Sequence, residues 1–259
     1  KFMKKINPKE IISKSYKRMI NDFNNFARIA FVVFIVTTPI YLFSAYYDEY
    51  LLDIYNQKGM IAFIRGSGLT RILNWFVLFP IISAFLANWH RYILFSGKKP
   101  WKYIPIDFSK YTFHWIWTSI KVGFVFFVPA VIFVYIAFFL IGMNIFTFVV
   151  IYILIVIIYF VRVSLIFPAT AAQHDNSFTR AFKMSKNNFW SLLLVYVSVI
   201  PVALVWFLLL MLMEFTVSSE SSIAINLFYH FITFAFIFII YGYLASCLSE
   251  SYKVLSKNN

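Results

Sequence analysis

A chain of 259 residues that is 62% hydrophobic, 22% aromatic and only 13% charged is excluded from the water-soluble class, whose domains are about 45–50% apolar and about 25% charged. Its mean hydropathy of +0.79 requires lipid to absorb the apolar excess. The formal charge of +13 would suit nucleic acid in a soluble protein, but here the basic residues flank long apolar runs. Anionic lipid headgroups are therefore the expected partner, and nucleic acid is not.

The chain opens on an amphipathic segment. Asn7 is placed to cap a helix, Pro8 suits its first position and Glu10 completes a capping box. Ile12, Tyr16, Met19, Ile20 and Phe23 then recur on one face, with Lys14, Lys17, Arg18 and Asn21 on the other. Such a helix lies in the headgroup plane, so residues 1–26 are read as a cytoplasmic interfacial segment. This polar start is too long for the n-region of a leader, and no small-residue cleavage site follows the first apolar run. No cleavable signal peptide is expected.

Six apolar runs of spanning length follow, each near the twenty residues a helix needs to cross a bilayer. They are Ala27–Tyr47, Ile72–Phe95, Trp115–Ile141, Ile145–Phe167, Trp190–Met213 and Ile223–Leu248. Gly142-Met143-Asn144 is a turn signal that divides the third from the fourth. Lipid offers no partner to a backbone N–H, and the runs lack strand alternation. The expected fold is all-α: a polytopic bundle over residues 27–248, closed by a short tail, 249–259.

Lysine and arginine set the orientation. Seven precede the first span, from Lys1 to Arg18. Lys98, Lys99, Lys102 and Lys110 lie between the second and third, and Arg180, Lys183 and Lys186 between the fourth and fifth. Lys253 and Lys257 end the chain. The opposite side has only Lys58, Arg65 and Arg71, together with Asp48, Glu49, Asp53, Glu214 and Glu220. Both termini are expected in the cytoplasm. Trp89, Tyr92, Trp101, Trp115, Trp117 and Trp190 fall near the inner interface as an aromatic belt.

Each odd-numbered span is preceded by an amphipathic stretch, which reads as three repeated units of interfacial helix plus hairpin. In the third unit Ser177 caps a stripe of Phe178, Ala181, Phe182 and Phe189; the middle copy, 107–114, is shorter. Asn24-Asn25-Phe26 leads into the first span and Asn187-Asn188-Phe189 into the fifth. Pro39, Pro129 and Pro201 follow at similar depth.

The run from Arg162 through Pro168-Ala169-Thr170, then Ala181-Phe182-Lys183-Met184-Ser185-Lys186-Asn187-Asn188-Phe189, resembles the membrane domain of bacterial glycerophosphoryl diester phosphodiesterases. That domain also stands alone in many uncharacterised bacterial membrane proteins. The family pattern is an arginine ending a span, a Pro-Ala segment, then an amphipathic helix closing on Asn-Phe. The resemblance is specific over about thirty residues. It marks Pro168, Phe182, Asn188 and Phe189 as structural positions and implies a multi-pass protein of the bacterial inner membrane. The soluble phosphodiesterase barrel has no counterpart in this sequence, so the resemblance implies a membrane module rather than a hydrolase.

Arg162 is the sharpest functional candidate, because a charge inside a span is costly and a guanidinium matches phosphate in two-pronged fashion. Arg91 ends the second span as Arg162 nears the end of the fourth, and Lys121 lies about two turns into the third. With Arg180 and Lys183 they form a candidate site for lipid headgroups or an anionic substrate. Snorkelling to the interface accounts for the same residues without a ligand. Cys247 stands alone in an apolar stretch, and no His/Cys spacing suggests a metal or cofactor. The reading adopted is a non-catalytic module that binds anionic lipid or organises a complex, with a protein partner or second copy left open. A transporter or lipid-translocating protein is the alternative. Thr37, Thr38, Asn74, Ser83, Asn144 and Ser198 are its few polar groups within the spans, and Pro39, Pro80, Pro129 and Pro201 its candidate breaks. An enzyme is disfavoured, because no nucleophile, base and acid converge.

Overall fold

The computed structural model describes residues 5–58, 74–95, 110–136, 144–172, 177–214 and 223–256. Among them every regular element is helical. The amphipathic start is α1 (Pro8–Asn21). A single residue, Asp22, separates it from α2 (Phe23–Lys58). The second span is α3 (Phe79–Phe95), preceded by one π-helical turn, Asn74–Leu78. Pro80 has no N–H for the carbonyl four residues back, and its ring crowds that carbonyl; the widened turn relieves both. The third span is α4 (Lys110–Tyr135), and the fourth is α5 (Ile145–Val163).

Two proline-linked breaks follow. Ser164 and Leu165 form a turn between α5 and α6 (Ile166–Ala171). Pro168 cannot donate to Ser164, whose carbonyl instead accepts from Phe167 N at 3.3 Å. After α7 (Phe178–Ser185) the fifth span is split at Ser198-Val199 into α8 (Phe189–Val197) and α9 (Ile200–Glu214). Pro201 sits just inside α9, where a missing N–H costs nothing. The chain ends in α10 (Ile223–Ser256).

Six of these stretches are long and apolar enough to cross a membrane, each overlapping an expected span. Their outward side chains are apolar along the length: Phe124, Phe127 and Ile132 on α4, Leu154 and Ile158 on α5, Leu208 and Leu212 on α9. Water does not tolerate apolar surface on that scale, and lipid does. The protein is a polytopic membrane bundle. Two helices overshoot. At 1.5 Å per residue, α2 and α10, with 36 and 34 residues, are about 54 and 51 Å long, against about 30 Å of hydrocarbon.

The sequence-based bounds shift in three places. Asn7 occupies the cap of α1, but its side chain makes no capping bond. Its carbonyl accepts from Ile11 N at 3.1 Å, while Glu10 pairs with Lys14 one turn on and raises that ammonium's pKa. In the middle unit the described residues Lys110–His114 run unbroken into the span, whereas the first and third units have separate leading helices. The last helix does not stop at Leu248: Ser249, Ser251, Tyr252 and Leu255 continue it and are buried.

The centre of the bundle is α3. In its window, Phe76–Phe95, 61% of residues are buried, against 11% in Lys110–Tyr135 and 11% in Phe189–Met213. It packs against α10, α4, α6 and α2. Helices in lipid gain little from the hydrophobic effect, so close backbone approach and interhelical hydrogen bonds must hold them. Both occur where α3 meets α10. Trp89 Nε1 donates to the Gly242 carbonyl at 2.9 Å and lies 3.0 Å from Ser246 Oγ. Phe26 of α2 lies against Trp89 with ring centroids 5.1 Å apart. A Cβ on Gly242 would collide with the Phe26 ring edge. Gly242→Ala is therefore expected to destabilise the bundle by about 1–3 kcal/mol, the ordinary cost of overpacking. Thermal unfolding in detergent reads this out, and an unchanged midpoint would contradict the packing described.

Candidate functional site at the basic end of the bundle

Most buried polar side chains lie where α1, the end of α3, the start of α4, α6, α7 and the end of α10 come together. They include Ser15, His90, Arg91, Thr112, Thr118, Thr170, Ser185, Asn188, Ser246, Ser249 and Glu250. Many satisfy one another or the nearby backbone. His90 Nδ1 and Ser249 Oγ share a hydrogen bond of 2.8 Å. Thr170 Oγ1 donates to Ile166 O at 2.8 Å and lies 3.3 Å from Thr118 Oγ1.

Glu250 accepts an ion pair from Arg18 of α1, Nε to Oε1 at 3.4 Å, and another from Lys253 at 2.9 Å. Arg18 also reaches Asp22 at 3.5 Å. The Glu250 carboxylate is only 11% exposed, so these cations offset its desolvation.

The structural positions of the sequence motif clamp this end together. Ala181, Met184, Ser185 and Asn188 are all buried and follow one helical face. Ser177 Oγ accepts from Arg180 N at 3.2 Å, as the capping signal predicts. Phe182 meets Tyr159 of α5 with centroids 5.6 Å apart. Pro168 is buried in α6, and Phe189 packs against the core cluster that holds Leu165 and Leu192. Asn188 reaches furthest. Its Oδ1 accepts from Ile6 N at 2.8 Å, and Ser191 Oγ donates to Ile6 O at 3.1 Å. Together they satisfy both backbone groups of Ile6, two residues ahead of α1.

The five candidate basic residues occupy distinct places. Arg91 is buried; its guanidinium lies 3.8 Å over the Tyr111 ring, and Nη1 donates to Ala171 O at 3.3 Å. Lys121 is exposed on α4, its Nζ 5.7 Å from the Trp117 ring centre. Arg162 is partly buried in α5, 6.0 Å from the centre of Phe189. Its Nε is sealed from solvent and has no hydrogen-bond partner among the described residues. Arg180 and the exposed Lys183 lie on α7, which packs on α5. Arg91, Lys121 and Arg162 thus sit over three different rings, while Arg180 and Lys183 lie on the helix packed against α5.

Sequence reasoning passed over two groups. Glu250 fell in the supposed tail, where nothing marks a carboxylate as buried. Arg28 lies two residues inside the first expected span and carries the signal used for Arg162, a charge in an apolar run. It is exposed and borders a groove between α2 and α10. By contrast, three polar residues considered for a transport path are engaged locally. Thr37 and Thr38 donate to Val33 O and Phe34 O at 2.9 and 2.7 Å, and Ser198 donates to Val195 O at 2.6 Å.

Apolar helices gathered round a polar, basic end define a multi-pass α-helical membrane protein. No family model, curated protein or solved structure matches the chain.

The Ile6 clasp is directly testable. Asn188→Ala removes the acceptor from a buried N–H, which costs about 1–3 kcal/mol. A fall in thermal stability and faster proteolysis ahead of α1 are expected, with Asn188→Asp, which keeps an acceptor oxygen, restoring protection. Equal protease resistance in the alanine variant would remove the clasp from the account.

Proposed function

We propose that the protein is a non-catalytic integral membrane module that holds anionic lipid headgroups at its basic end. We place that end at the cytoplasmic face of a bacterial inner membrane, on the strength of the lysine and arginine distribution and the resemblance stated above. The observation that carries the reading is Arg162. A guanidinium within an apolar span is expensive unless paired, and among the described residues its Nε has no hydrogen-bond partner. The Nε is sealed from a ligand, so a phosphate oxygen would accept from the Nη end of the guanidinium. Arg180 and Lys183 on the neighbouring helix add positive charge without a competing carboxylate among the ion pairs described.

Two further features favour this reading over transport of a polar solute. Most of the buried polar residues lie at one end of the bundle, and many of them bond to one another or to nearby backbone. The three cavities described among the helices have largely apolar walls, whereas a transporter for polar solutes needs polar groups facing a central space. The serine–histidine contact of Ser249 with His90 is buried between α10 and α3, which favours a packing role for that pair over turnover.

Native mass spectrometry of the protein released from nanodiscs of mixed phosphatidylglycerol and phosphatidylcholine provides the test. The wild type is expected to retain phosphatidylglycerol in preference. Arg162→Ala should lower that retention about tenfold, the scale of one charge-assisted hydrogen bond, with partial recovery in Arg162→Lys. A wild type that emerges bare, or that shows no headgroup preference, would overturn the reading.

A further inference from the structure

The reading above rests on the α5–α7 corner, but the chain also has a lipid-sized feature elsewhere. Two apolar grooves adjoin at the corner of α1, α2, α9 and α10. One, about 480 Å³, runs between α2 and α10 along Phe26, Phe31, Phe34 and Phe234, with Arg28 on its wall. The other, about 500 Å³, runs beneath α1 along Ile12, Tyr16 and Ile20, with Val202 and Tyr243 opposite. Both volumes lie within the range of small-molecule sites. Phe23 and Ile239 line both grooves and form the ridge between them.

The second groove exists because α1 is rotated from the orientation its amphipathic pattern suggests. Ile11, Ser15 and Met19 are its buried face, leaving Tyr16, Ile20 and Phe23 more than half exposed. Those side chains would be a liability in water and need lipid against them. At the same corner Arg28 is an exposed cation six residues into α2, within the span Phe23–Ile40. No hydrogen bond or ion pair engages it among the described residues.

We propose that this corner is a specific site for one diacyl anionic phospholipid, with an acyl chain in each groove, the Phe23–Ile239 ridge between them and the phosphate on Arg28. An apolar channel with a cation on its wall, joined across a shared ridge to a second apolar channel, matches the plan of such a lipid: two chains and one anionic group. A second protein helix would not fit, because the ridge divides the space. A neutral single-chain amphiphile would leave both the cation and one groove unmatched. The site deepens the lipid-binding reading and depends on it, but it is separate from the Arg162 corner.

The test uses the full chain in nanodiscs of equal phosphatidylglycerol and phosphatidylcholine, with native mass spectrometry of bound lipid. Arg28→Ala should reduce retained phosphatidylglycerol about tenfold, while the surface control Lys9→Ala leaves it unchanged. Ala235→Trp, which fills the α2–α10 groove, should reduce retention of both lipids. Loss in Arg162→Ala with none in Arg28→Ala overturns this site and leaves the functional reading standing; a wild type without bound anionic lipid overturns both. Should a variant fold poorly, the wild type alone decides. Phosphatidylglycerol with a photoreactive acyl chain should label Phe31, Phe34 and Phe234 ahead of the outward faces of α4, α5 and α9. Even labelling over all lipid-facing helices overturns the proposal.

Discussion

The contact between Trp89 and the backbone of α10 governs how the rest of the bundle is arranged. In lipid, one helix has little reason to prefer another helix to an acyl chain unless it gains a hydrogen bond or a very close approach. Trp89 and Gly242 supply both. Gly242 and Ser246, one turn apart, present a small-residue face on α10. The Ser246 hydroxyl donates to the same Gly242 carbonyl at 2.7 Å, and Phe26 of α2 fills the dip the glycine leaves. Three helices are registered at one point. From there His90 reaches Ser249 one turn further on, and Arg91 reaches Ala171 and Tyr111. Three consecutive residues of α3 therefore reach α10, α6 and α4.

With α10 so placed, its overshoot past Leu248 becomes the platform on which α1 sits. The Arg18–Glu250 pair and the burial of Ile11, Ser15 and Met19 turn the amphipathic helix so that part of its apolar face remains open to lipid. The grooves are the direct result. Cations at this end fall into two kinds. Arg18 and Arg91 are engaged by the protein, whereas Arg28, Arg162 and Lys183 lie outside the ion pairs of the described residues. The second kind lies on two different corners of the bundle.

Much of the fold is legible in the sequence because lipid imposes a strong constraint: a span must be apolar for about twenty residues. All six spans and the separate leading helices of the first and third units follow from that pattern and from the Ser177 cap. What local pattern does not reveal is rotation and pairing. The amphipathic stripe Ile12–Phe23 marks a helix with two faces, but which of its rings meet protein depends on Ser15 and Glu250, and Glu250 is remote in sequence. The tail seemed free because Ser249, Glu250 and Ser251 are polar; Ser249 and Glu250 find partners on α3 and α1. Arg91 and Arg162 look equivalent in sequence, each near the end of an even span. Only packing separates the one bonded to Ala171 O and held over Tyr111 from the one set 6.0 Å from the centre of Phe189.

The clasp on Ile6 bears on how the chain is assembled. Its partners, Asn188 and Ser191, are made more than 180 residues later, and Glu250 later still. Helix α1 therefore waits for its contacts with these residues until they have been made. Until then the apolar face of α1 can rest on the membrane surface. Closing α1 onto Asn188 and α10 requires the helices that carry Asn188 and Glu250 to be in place, so the docking of α1 follows the insertion of residues far from it in sequence.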